Sequence, residues 1–102
     1  KPNKRNYNKT MNITFDPDKD EANRAKHGVS LADAAGFEWE TAVIWPDRRR
    51  DYGEQREMAL GYIGPRIMVV VFTDRPEGKP TERRIISLRK ANRREVTRYA
   101  ET

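Results

Sequence analysis

The stretch Met68-Val-Val-Val-Phe72 carries an apolar side chain at every position, and Ile67 and Thr73 extend it with β-branched residues. A strand with one wet face alternates, so this run predicts a central strand covered on both faces. Such a strand restricts the chain to a layered fold, with packed material on each side of its sheet. Three further segments read as strands, at 41–45, 57–63 and 81–88, beside the central one at 67–73. Gly64-Pro65 separates the second from the third, and Pro76-Glu-Gly-Lys-Pro80 separates the third from the fourth, so the last three should form an antiparallel meander.

Three segments carry helix-start chemistry, a side-chain oxygen placed to accept from the otherwise unpaired amides of a first turn. Asp16 with Pro17 opens a helix that should run to about Lys26 and stop at Gly28. Ser30-Leu-Ala-Asp33 opens a second, ending near Trp39, with Ala32, Ala35 and Phe37 as packing surface. Asn92, with Glu95 in the capping-box position, opens a third whose apolar stripe is Val96, Tyr99 and Ala100. The expected fold class is α+β: two N-terminal helices, a four-stranded, mainly antiparallel sheet and a C-terminal helix, in one domain over residues 11–102. At 102 residues the core must be modest.

Cysteine is absent, which excludes disulfides and thiol catalysis, and one histidine without cysteine argues against a zinc site, so no cofactor is expected. No stretch approaches the ~20 apolar residues of a membrane span, and the default expectation is a cytoplasmic protein. The net charge of +5 suggests a polyanionic partner, but Lys1, Lys4, Arg5 and Lys9 precede Met11 with no acid among them. Without those four, 17 of the 21 bases face 16 acids. Charge within this body is nonetheless polarised, since Arg83, Arg84, Arg89, Lys90, Arg93, Arg94 and Arg98 meet only Glu95 between positions 83 and 98. A solvated helix face beside an edge strand explains such a run; the arginine dominance favours phosphate, which a planar guanidinium grips with two donors.

Four groups of residues carry candidate chemistry. His27 exchanges a proton near neutral pH and Lys26 beside it can neutralise phosphate or depress the imidazole pKa, although Lys, His and Gly also simply suit a helix end. Adjacent helical residues point about 100° apart, so both need not face one phosphate. Glu54 and Arg56, two apart near a strand start, share a face if extended and pair a carboxylate base with a cation; the same pair serves equally as an ordinary surface ion pair. Arg84 and Arg89 can clamp a transition-state phosphate, but five residues of regular strand put them on opposite faces, and Arg89 is preferred because it should lie where strand gives way to loop. Lys90, Arg93 and Arg94 suit RNA held at a distance or an acidic partner, and Tyr99 either stacks on a base or joins the core.

Gly53-Glu-Gln-Arg56, Arg66-Ile-Met-Val-Val-Val-Phe-Thr73 and Arg84-Ile-Ile-Ser-Leu-Arg-Lys-Ala91, together with the helix at Asp16 to Gly28, occur in the order found in one family. In this the chain resembles BrnT-type toxins, the ribonuclease half of bacterial type II toxin-antitoxin pairs, from about Asn12 to Tyr99. Ile13 and Phe15 stand where the family often has Phe and Trp, and Leu88 replaces a usual small residue; these look like packing changes. Met11-Asn-Ile-Thr-Phe15 then reads like a family start, which makes residues 1–10 a basic leader, disordered or a cloning remnant, with no part in the fold. The resemblance implies a RelE-like fold and a metal-independent endoribonuclease that inhibits translation by 2′-OH attack on RNA. Lys26, His27, Glu54, Arg56 and Arg89 would be its catalytic residues, with Arg84, Lys90, Arg93, Arg94 and Tyr99 binding RNA. It further implies a BrnA-like antitoxin with its own DNA-binding domain, in a heterotetramer. A non-catalytic nucleic-acid-binding module and a structural partner subunit are the competing function classes.

Overall fold

Five strands form one mixed sheet in the computed structural model, which describes residues 11–102; the expected leader at 1–10 lies outside them. The strands are β1 (Asn12–Phe15), β2 (Val43–Pro46), β3 (Glu57–Ile63), β4 (Arg66–Arg75) and β5 (Glu82–Lys90), in the order β1-β5-β4-β3-β2. β3 to β5 form the antiparallel meander that the turn residues predict, β2 also pairs antiparallel with β3, and β3 has the predicted bounds. The four-stranded expectation is corrected by β1, which adds parallel to the outer side of β5, Asn12 to Phe15 aligning with Glu82 to Ile85. Its partner lies some 70 residues away, so no local turn announces the pairing.

Two helices are α-helical: α1 (Pro17–His27) and α2 (Arg93–Ala100). Asp16 caps α1 by accepting from Asp18 N–H at 2.8 Å, and Gly28 ends it at φ 73°, a left-handed conformation that costs glycine nothing. Asn92 and Glu95 make both halves of a capping box on α2. The expected second helix is instead two 3₁₀ segments, Leu31–Gly36 and Trp39–Thr41. Ser30 caps the first, but three residues per turn align Leu31, Ala34 and Phe37 toward the core and turn the expected Ala32 and Ala35 outward. On α2 only Tyr99 of the expected stripe packs inward to any extent; Val96 is 40% exposed.

β4 is covered on both faces. Met68, Val70 and Phe72 join Leu31, Ala34, Phe37, Ala59, Ile85 and Leu88 on the face under the 3₁₀ segments, while Val69 and Val71 join Met58 and Leu60 on the other, against Tyr99 and Trp45. We call these the closed and the open face, because α2, about 12 Å long, spans only part of the second. Its side chains meet Tyr62, Thr41, Trp45 and Arg89.

α1 is tied to the sheet by a buried polar residue with no counterpart in the sequence reading. Asn23 donates to Leu88 O at 2.8 Å and Val29 O at 2.9 Å, and accepts from Leu88 N–H at 3.2 Å. The aligned pairs of β1 end at Phe15 and Ile85, so the Asn23 amide takes the place of a strand residue on the edge of β5 beyond that point. Asn23→Leu leaves three backbone groups unpaired, the buried Leu88 N–H and O and the part-buried Val29 O, at about 1 kcal/mol each. Denaturant unfolding should show a loss of about 3 kcal/mol; a loss below ~1 kcal/mol contradicts the clamp.

Candidate active site

A bulge in β5 decides which arginines share a face. Val71 aligns with Ser87 but Phe72 with Ile85, so Ile86 is the extra residue and the alternation of β5 skips a step there. Arg84 aligns with Thr73 and Arg89 with Val69, both on the open face. The opposite-face expectation for this pair is thereby corrected. Arg83, counted with the basic run, points to the closed face instead, held by Asp74 through two 2.8 Å hydrogen bonds and lying 4.4–4.5 Å from the ring centres of Phe72 and Trp39. It is a packing residue.

Arg56, one position ahead of β3 and in phase with Met58, belongs to the open face, as does Arg75 at the end of β4. Glu54 joins them, accepting from Arg56 Nε at 3.3 Å and from Arg75 at 3.0 Å. Arg75 aligns with Glu82, which pairs with Arg84 at 3.4 Å and accepts from the Thr14 hydroxyl at 2.6 Å. Carboxylates and guanidinium groups thus alternate across the sheet: Arg56, Glu54, Arg75, Glu82, Arg84. Burial raises the Glu54 pKa, but hydrogen bonds and charge from Arg75 and Arg56 outweigh it and hold the carboxyl below its ordinary range. Arg84 Nε is buried without a hydrogen-bond partner, while its NH2 faces Glu82. The expected Glu54–Arg56 pairing is present; Arg75, which completes it, carried no sequence signal beyond its charge.

The loop before β3 delivers Glu54 and Arg56, and Asp47 organises it. Its buried carboxylate accepts from Arg49 Nε and NH2, both at 2.8 Å, from Arg49 N–H at 3.2 Å and from the Tyr52 hydroxyl at 3.1 Å, while its own N–H donates to Arg56 O at 2.8 Å. Hydrogen bonding by Arg49 is the main reason the Asp47 pKa falls to about 2. The folded value lies below the ~3.9 of an unfolded aspartate, so the stabilisation is full above pH ~4 and is lost as pH falls toward 2. Asp47→Asn should cost about 1–2 kcal/mol at pH 7, with the difference from wild type closing between pH 4 and 2 in denaturant titrations. A difference that persists unchanged at pH 2 contradicts the assignment.

A second group lies at the other end of the sheet. His27, half-buried at the end of α1, has its pKa lowered by burial and then by the charges of Lys26 and Arg89, so it is mainly neutral at pH 7. Arg89 stays within β5, which runs on to Lys90 rather than ending at 88 as expected, and its guanidinium is held by both Glu95 oxygens at 2.9 Å. Six steps of β4 separate Val69, beside Arg89, from Arg75, beside Glu54: about 20 Å at ~3.3 Å per residue. The five candidate catalytic residues therefore do not converge on one phosphate. Lys90 is exposed and faces the closed side, lining a groove with Val29, Asp33 and Met68. Arg93 and Arg94 are exposed on α2 beside Arg98. Tyr99, the candidate base-stacking residue, packs edge-on against Tyr62 at 5.5 Å and donates to Thr41 O at 3.2 Å, which makes it a packing residue.

Among the described residues no cluster of His, Cys, Asp and Glu is grouped to hold a metal ion, and no helix is long and apolar enough to cross a membrane. Residues 15–95 match the model of a family described as the ribonuclease toxin, BrnT, of type II toxin-antitoxin systems. The chain belongs to the BrnT family. Membership makes it a toxin of a type II toxin-antitoxin system, of ribonuclease type, and implies an antitoxin as partner. Among solved structures it is similar to the BrnT ribonuclease toxin of Brucella abortus, with 33% identity over 82% of this chain and 100% of that one and a TM-score of 0.61. No curated protein matches it. The BrnT match spans β2 to β5 and the last residue of β1, together with α1 and the capping box of α2, so the open-face arginines fall within it.

Proposed function

We propose that the chain is an endoribonuclease that cuts RNA without a metal ion, by attack of a ribose 2′-OH on the adjacent phosphate, and thereby inhibits translation in the cytoplasm. The observation that carries this reading is the open-face array of Arg56, Arg75 and Arg84 around Glu54. Glu54 takes the 2′-OH proton as the new P–O bond forms, and Arg56 and Arg84 neutralise the charge that develops on the phosphate oxygens as the bond to the 5′-oxygen breaks. Lys26, His27 and Arg89, about 20 Å away, hold the flanking RNA, with Lys90, Arg93 and Arg94 beyond them. A BrnA-like antitoxin with a DNA-binding domain neutralises the toxin in a heterotetramer.

The pH profile of kcat/KM tests the base. With Glu54, whose pKa is lowered, activity persists through the ordinary carboxylate value of ~4.3 and falls only below it. An acid limb above the carboxylate range instead assigns the base to His27, whose pKa is lowered by burial and then by the charges of Lys26 and Arg89.

A further inference from the structure

The loop that carries Glu54 and Arg56 borders an open cleft of about 430 Å³ whose lining includes Arg48, Arg50, Asp51, Tyr52, Gln55 and Arg56. That is the size range of a small-ligand site, and its polar lining contrasts with the apolar walls of a typical one. Arg48-Arg49-Arg50 looks like a uniform basic run, but the three residues have different fates. Arg49 is spent on Asp47, whereas Arg48 and Arg50 line the cleft and, among the described residues, make no ion pair or side-chain hydrogen bond. The Arg56 guanidinium lies 4.2 Å from the centre of the Tyr52 ring, giving a flat cationic and aromatic surface in the same cleft. The Gln55 amide, exposed beside it, has donors and acceptors free for a base edge, while its main-chain oxygen is engaged by the Thr73 hydroxyl at 2.8 Å.

We infer that this cleft binds one nucleotide of the RNA next to the scissile phosphate, with the base against the Tyr52–Arg56 surface and Arg48 and Arg50 on the phosphates that continue the strand away from the cut. The inference rests on the ribonuclease reading for its substrate and on the loop for its geometry. Single-stranded RNA is recognised by stacking its exposed bases and gripping its backbone, and arginine contributes to both. A loop tied by five hydrogen bonds to one buried aspartate loses little conformational freedom on binding, which suits a specificity pocket. Sharing Glu54 and Arg56 with the proposed reacting centre makes the pocket choose the residue beside the cut.

Two measurements test this without relying on turnover. Backbone amide shifts of the wild-type protein are followed with each of the four nucleoside 5′-monophosphates and with inorganic phosphate. Saturable shifts across residues 48–56 with at least one nucleotide, and not with phosphate at equal concentration, are expected; equal response to phosphate, or none in the loop, overturns the pocket. Affinity for a 2′-O-methyl oligoribonucleotide, which 2′-OH attack cannot cut, is then compared between wild type and Arg48→Ala/Arg50→Ala, with folding checked by circular dichroism. The variant should bind about tenfold more weakly, and its log affinity against log salt slope should shrink by about 1.4, two phosphate contacts at ~0.7 each. An unchanged slope and affinity overturns the phosphate contacts. Loop shifts in a protein that cuts no RNA would retain the pocket and remove the ribonuclease reading, and cutting without loop shifts would do the reverse.

Discussion

Val70→Asp abolishes cooperative folding. Val70 has no exposed surface and sits mid-strand between Ala59 on β3 and Leu88 on β5, among apolar side chains of the closed face. The substitution removes about 2 kcal/mol of burial and introduces a carboxylate with no partner, a penalty of several kcal/mol whether it is met by charge burial or by protonation. Small domains have roughly 5–15 kcal/mol in total, and this one is at the small end of single-domain size. Circular dichroism should show no thermal transition, whereas Val70→Ala, which leaves a cavity without a charge, should melt cooperatively at a lower temperature. A soluble Val70→Asp protein with a sharp melt contradicts the two-faced burial of β4.

Arg56→Ala/Arg84→Ala lowers RNA cleavage by about a thousandfold or more while leaving the fold intact. Each guanidinium is placed to meet charge that develops on phosphate, and removing one such donor costs about 10²–10³ in rate. Loss of either leaves partnered acids at part-exposed positions, Glu54 with Arg75 and Glu82 with the Thr14 hydroxyl, so the melting temperature should move by only a few degrees. Arg84→Lys keeps the charge but not the planar guanidinium fork, and should recover little. Cleavage within tenfold of wild type in the double variant contradicts the open-face site.

Where the fold is dictated by neighbours in the chain, the residues announce it. Asp16 and Gly28 bound α1, Asn92 and Glu95 close the capping box of α2, and the unbroken apolar run of β4 forecasts cover on both faces. Features set by distant partners have no such signal. β1 is recruited by β5 across most of the chain, and Asn23 is a strand surrogate only because β1 stops short of Leu88. The bulge at Ile86 is one residue in a run that reads as regular strand, yet it reverses the relation between Arg84 and Arg89. The candidate site was therefore readable as a set of residue types and not as a geometry. Glu54 and Arg56 are recognisable as a pair, while their separation from Lys26, His27 and Arg89 follows only from the length of β4 and β5. Asp47 and Tyr52 carry no sequence signal, because a loop dense in charge looks the same whether its acids are solvated or bonded.

An open face that cuts RNA with groups the chain itself supplies needs no added metal. End-labelled RNA incubated in EDTA with purified wild type, Glu54→Gln and Arg56→Ala/Arg84→Ala tests it most directly, with product ends identified and folding confirmed by circular dichroism. Cleavage by wild type alone, leaving a 2′,3′-cyclic or 3′-phosphate and a 5′-hydroxyl, is the predicted result. Equal cleavage by all three proteins, or wild-type cleavage that needs added metal and leaves 5′-phosphates, would contradict it.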